Sequence, residues 1–232
     1  MTVVSEVRAD PIEDIVTACQ ALAVRGCDTG IGGHVSMRDR RREFWINSFD
    51  RTLGEVTADD VVKLDHDGRN VLSDRPVSPG WEFHAGIYDQ RPDVNAIVHT
   101  HGFWVTALAS LARPLKMRHN LCTLFHDDQA MSPDDTFASI GPAIGDRSTI
   151  IIPWHGAITV GSSLGRAAAL HATLEDMAQL DVRLEGTDAP ELPADRRADL
   201  RHLVDEVAGY LGLTWDLMRR QAAERRSGVS RG

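Results

Sequence analysis

No apolar run in this chain of 232 residues reaches the roughly 18 that a membrane span requires, so no transmembrane segment is expected. The opening stretch, MTVVSEVRADP, has neither a basic n-region nor an apolar h-region, which removes the signature of a secretory signal peptide and makes the cytoplasm the expected location. Cysteine is sparse. Cys19, Cys27 and Cys122 are odd in number and far apart, which argues against a disulfide framework, and Cys19 and Cys27 read as core thiols in or beside an apolar helix. Basic charge is in deficit, with 25 Lys and Arg against 34 Asp and Glu and a net charge of −9, so a nucleic-acid partner is not expected. The short basic runs, Arg40-Arg41-Arg42 and Arg219 to Arg226, read as solvated surface. Internal repeats and low-complexity segments are also missing.

What is present suffices for one large core: 42% of the residues are hydrophobic, which fits a single domain better than two small ones. Residues 11–25 place Ile12, Ile15, Val16, Cys19, Leu22 and Ala23 at helical spacing, and Gly26 ends that helix. Residues 34–38 and 43–47 alternate as two antiparallel strands. Thr57 reads as an N-cap ahead of a strand at 61–65, with a hairpin turn at His66-Asp67-Gly68 and a return strand at 69–72. A short helix is predicted over 81–90, an apolar strand over 95–101, a helix over 103–113 and strands at 148–153 and 157–160. A long helix over 164–184 and a final helical segment over 197–225 follow, joined by a linker from 186. The pattern predicts one α/β domain with a mainly antiparallel sheet and surrounding helices.

Ten histidines are the compositional oddity. His99 and His101 lie two apart on the apolar strand, so both rings share one face, and two imidazoles side by side can chelate one ion. His171 interrupts the apolar stripe Ala167, Leu170, Leu174, Met177 and Ala178 of the long helix. A buried imidazole there needs a partner, and either a metal or an ordinary hydrogen bond would serve.

The stretch Arg91-Pro-Asp-Val-Asn-Ala-Ile-Val-His-Thr-His101 resembles the signature strand of the class II aldolase/adducin family. The resemblance runs from about residue 12 to 184. It includes Gly33-His34-Val-Ser36, Ile46-Asn-Ser-Phe49, Glu55 to Asp60, Phe83-His84 and Trp154-His155-Gly156. It implies a three-layer α/β/α domain over residues 1–185 with a mainly antiparallel central sheet. Residues 186–232 would form a linker and helical extension, packing on the same domain or a neighbouring subunit. It further implies one divalent ion, with zinc first and iron or manganese as alternatives, on His99, His101 and His171, where the family's late helical histidine falls. Gly33, His34, Ser48 and Gly80 would line the substrate, and the active sites would lie between the subunits of a homotetramer.

Two departures matter. The family's proton-shuttling acid follows two serines, whereas the matching stretch here is Ser78-Pro79-Gly80. Glu82 is the available replacement, although residues two apart point to different faces of a helix. The family's phosphate pocket is eroded too: His34 stands where Asn is usual, and Phe49-Asp50 replaces a small Thr-Gly pair. Bulk, negative charge and a missing amide proton suit phosphate poorly.

The expected activity is therefore a metal-dependent lyase, cleaving or decarboxylating a non-phosphorylated hydroxy- or oxo-carbonyl compound through an enediolate. An Fe(II) oxygenase acting on an aryl 2-oxo acid is the second reading, with Trp81, Phe103 and Trp104 as an aromatic pocket. A non-catalytic scaffold is the third. His119, His126 and Tyr210 fall in stretches that approach a neighbouring site in relatives, and the sequence assigns them no role.

Overall fold

A computed structural model describes residues 10–40, 43–65 and 67–228. The opening segment, Arg41, Arg42, His66 and the last four residues lie outside them. Among the described residues, no helix is long and apolar enough to cross a membrane.

The first helix, α1 (Pro11–Val24), starts where local chemistry dictates. Proline occupies its first position, the Asp10 carboxylate accepts the Ile12 N–H, and Glu13 and Asp14 sit against the positive end of the helix dipole. The strands β1 (His34–Arg40), β2 (Glu43–Asn47), β3 (Val61–Leu64), β4 (Ala96–Thr100), β5 (Gln129–Met131), β6 (Thr149–Ile152) and β7 (Gly156–Gly161) form one sheet in the order β3-β2-β1-β4-β7-β6-β5. Every pairing is antiparallel except that of β5 with β6. The expected mainly antiparallel sheet is thus found, as a mixed sheet with one parallel pair at its edge.

Side chains alternate across this sheet with period two and feed two cores. Val35, Val98 and Ala157 face one core, built with α1, α3 (Phe103–Ser110), α5 (Leu164–Arg183) and α7 (Tyr210–Arg226). Ile97, Ile150, Ile152, Ile158 and Val160 face the other, built with α2 (Trp81–Gln90) and α4 (Phe137–Ile144). Cys19, Cys27 and Cys122 are buried and unpaired, and burial pushes the Cys122 thiol up to about 11. The C-terminal segment shares the first core through Val204, Leu211, Met218 and Ala222.

Two expectations need correction, and two elements were not anticipated. Residues 69–72 form no return strand, only an isolated bridge from Leu64 to Asn70. The final helical segment is broken into α6 (Ala194–His202), a π-helical turn (Leu203–Val207) and α7, because Gly209 adopts a left-handed φ of 62°. α4 and β5 escape sequence patterning: α4 carries Gly141 and Pro142, which read as breakers, and β5 has only three residues.

Candidate metal centre

His99 is the fourth residue of a strand whose five residues are all buried, and its register with β1 and β7 sets it beside His34 on one side and Ile158 on the other. Its Nδ1 lies 3.0 Å from the Ala157 carbonyl oxygen. A carbonyl only accepts, so Nδ1 carries the proton and Nε2 presents a lone pair. That lone pair points at His101, whose Nε2 is 3.0 Å away.

The third imidazole is His155, in the turn between β6 and β7. Its ring centroid is 5.0 Å from that of His99 and 4.8 Å from that of His101, and one ligand atom from each of the three lies within 4.8 Å of the others. Antiparallel pairing explains the convergence, because Thr100 at the end of β4 pairs with Ala157 at the start of β7. Trp154 makes the turn in the left-handed region, φ 60°, with its N–H donated to Ala109 O. A Cβ on Gly156 would lie 2.5 Å from Thr100 O, so only glycine admits this approach. Behind His101, Gly32 leaves room for the ring, and the Thr29 hydroxyl bonds its carbonyl oxygen.

Burial holds His99 well below the usual imidazole range, lowers His101 to about 4 and lowers His155 as well. All three are therefore neutral near pH 7, the state in which imidazole binds metal. Tetrahedral ligation at zinc–nitrogen distances of about 2.0–2.1 Å separates ligand nitrogens by about 3.4 Å, close to the spacing of His99 and His101. The donor set fits a divalent ion, and the Nδ1–carbonyl bond is the outer contact that orients a ligating histidine.

His171 is not part of this cluster. It sits on the opposite face of the sheet with Thr100, whose side chain alternates with those of His99 and His101. The Thr159 hydroxyl donates to Ala167 O at 2.9 Å and so accepts from His171 Nδ1–H at 3.1 Å. His171 Nε2 then accepts from the Thr100 hydroxyl at 2.8 Å. Both ring nitrogens are spent, and burial depresses the imidazole to about 3. Four residues along α5, the buried Glu175 carboxylate accepts the N–H groups of Trp104 and Val105, capping the helix that follows His101. α5 thus braces the corner that carries the histidine cluster from behind.

The other predicted site residues divide. His34 is buried, its ring 4.8 Å from that of His99, with Nδ1 2.8 Å from His84 Nε2 and Nε2 3.0 Å from Ser78 Oγ. His84 continues to Ser36, and Ser36 to the Tyr88 hydroxyl. Gly80 adjoins His34, and a Cβ there would lie 2.8 Å from the His34 ring. Gly33 offers its carbonyl to Asn47 Nδ2, and Ser48 is buried with its N–H on Asp60 O. Glu82 is exposed, while its neighbours Phe83 and His84 face the sheet. Trp81 packs against one core and Trp104 against the other, so with Phe103 they line no common aromatic pocket. His119 spends Nδ1 capping the 3-10 helix Asn120–Phe125, His126 lies 3.4 Å from Asp127, and Tyr210 is half-buried against the first core.

Residues 13–182 match the model of the class II aldolase and adducin N-terminal domain. The chain belongs to that family. L-fuculose phosphate aldolase of Haemophilus influenzae is 27% identical over 210 residues, covering 88% of this chain and 96% of that protein. The 5-methylthioribulose-1-phosphate/5-deoxyribulose-1-phosphate aldolase of Rhodospirillum rubrum is 29% identical, covering 78% and 85%. Among solved structures, L-fuculose 1-phosphate aldolase from Glaciozyma antarctica superposes with a TM-score of 0.83 at 25% identity, covering 92% of this chain and 90% of that one. This class II aldolase/adducin domain therefore has enzymes of the class II aldolase type among its relatives. His155 entered the sequence reading only inside the Trp154-His155-Gly156 motif. The signal that finds it is positional: a histidine in the turn between two apolar strands, the second of which pairs with the strand of His99.

Proposed function

We propose that the chain is a divalent-metal-dependent lyase that cleaves or decarboxylates a non-phosphorylated hydroxy- or oxo-carbonyl compound. The observation that carries this reading is the convergence of three neutral imidazoles, His99, His101 and His155, with the His99 lone pair fixed toward the cluster. An ion held there would supply Lewis acidity to a carbonyl oxygen. Beside it, His34 and Ser78 are hydrogen-bonded to each other and form a buried polar wall, and the Phe83 ring, 5.3 Å from His99, walls off water.

The relatives named above act on sugar phosphates, and the loops of this chain are built differently. The N–H groups of Ser48, Phe49 and Gly80 are already donated, to Asp60 O, Pro76 O and Ser78 Oγ. Pro79 has no N–H to give, and Asp50 adds a carboxylate, paired with Arg51 and Arg75. A phosphate cradle needs free amides. In cleavage assays of the zinc-loaded protein with 2-ketoses and their 1-phosphates, the esters are expected to show kcat/KM no higher than the free sugars. A tenfold or greater preference for the esters would overturn the non-phosphorylated reading.

The same reading includes a closed homotetramer. Leu203, Val207, Leu213 and Leu217 leave an apolar surface along the C-terminal helices that a neighbouring copy would cover. Sedimentation at micromolar concentration is expected to give a four-chain mass. A fully active monomer would sink the assembly.

A further inference from the structure

Residue 80 has no side chain and Glu82 faces solvent, yet cleavage next to a carbonyl needs a group that carries a proton. The loop between β5 and α4, residues 132–136, is tied at both ends to elements that border the histidine cluster. At its start Met131 pairs with Ile151, and the Ser132 N–H donates to Ile151 O at 2.9 Å. The loop therefore leaves the sheet alongside the Ile152 to His155 turn. At its far end Phe137 packs 5.9 Å from Phe83, the ring that meets His99 edge-on. Its shape is locked from inside, because Asp134 Oδ1 accepts the Thr136 N–H at 2.9 Å and the Thr136 hydroxyl at 2.7 Å.

Asp135 is the fourth of the five residues in this pinned loop. It is exposed and makes no hydrogen bond or ion pair among the described residues, and its charge is felt at His155, where it opposes the lowering by burial. Neighbouring acids are otherwise committed: Asp134 to the N–H and hydroxyl of Thr136, and Glu175 to the cap of α3 on the opposite face of the sheet.

We propose that Asp135 is the acid–base group of this site, a role resting on the lyase reading above. Its carboxylate takes the proton from the carbon beside the substrate carbonyl. The electron pair of that C–H bond becomes the C=C bond and the carbonyl pair moves onto oxygen, giving an enediolate. Return of the same proton from Asp135 to carbon reverses the step, and no other reactant is needed.

The test measures deuterium exchange into dihydroxyacetone in D2O by proton NMR, using zinc-loaded wild type, Asp135→Asn and Glu82→Gln. Metal content is determined on each sample. Asp135→Asn is expected to bind one zinc per chain and lose about 10²–10⁴ in exchange rate, the usual worth of a positioned acid–base group. Glu82→Gln should stay within twofold of wild type. A second readout needs no turnover. Oxalate should bind the cobalt-loaded Asp135→Asn protein severalfold more tightly than wild type, because a repelling carboxylate has gone. Asp135→Asn exchanging within threefold of wild type, or unchanged oxalate affinity, overturns the role of Asp135 and leaves the metal centre standing. A wild type that binds zinc but exchanges nothing overturns the enediolate reading and Asp135 with it.

Discussion

Replacing His155 with alanine is expected to strip the metal from this protein, while replacing His171 with glutamine is not. His155 is one of three imidazoles, and deleting a direct ligand should exceed the 10–100-fold loss that outer contacts typically cause. Zinc affinity in His155→Ala should therefore fall by more than about 100-fold, and lyase activity with it. His171→Gln removes a ring whose two nitrogens serve Thr100 and Thr159, so its cost belongs to folding, about 1–3 kcal/mol for disturbed buried hydrogen bonds. Metal analysis after dialysis, paired with urea unfolding, separates the two. A His155→Ala protein retaining one tightly bound zinc, or a stable His171→Gln protein retaining none, would reverse the ligand assignment.

Acid should unfold the metal-free protein well before its carboxylates are protonated. Burial holds both His84 and His171 at about 3 in the folded chain. In the unfolded chain each returns to about 6.5. Between these values the unfolded state binds more protons, so stability is complete above about pH 6.5 and falls as pH drops toward 3. Each group costs about 1.4 kcal/mol per pH unit, so the pair removes about 4 kcal/mol at pH 5. That is a large share of a typical net stability of about 5–15 kcal/mol. Urea midpoints measured between pH 5 and 8 should decline steeply below 6.5, and less steeply in His171→Gln. A flat profile would contradict the neutral, buried state of these rings.

Much of the fold was readable because its elements obey local rules. The apolar spacing of 11–25, the unbroken apolar run of β4 and the long stripe of α5 each carry their own period. The pairing of His99 with His101 was readable for the same reason, since a two-residue repeat fixes a common face. The third imidazole of the cluster was not. His171 interrupts a buried stripe and invites a partner, but the partner is a pair of threonines, and nothing local in α5 reveals which face of the sheet it covers. His155 depends on β7 lying beside β4, a pairing between distant segments. Glu82 failed similarly: it sits one position before a buried phenylalanine, and a helix turns consecutive residues by about 100°, carrying the carboxylate outward.

The strand order carries a consequence for synthesis. β4 lies at the centre of the sheet, yet its partners are β1, made long before it, and β7, made long after. A nascent chain that has just exposed His99 and His101 possesses two of the cluster's imidazoles, an unpaired central strand edge and no brace from α5. Neither the third imidazole nor the carbonyl that fixes the His99 tautomer exists until the ribosome has passed Ala157. On the proposed ligand set, metal capture would therefore be a late, post-closure event, and the half-made sheet is the stage at which chaperones would be needed most.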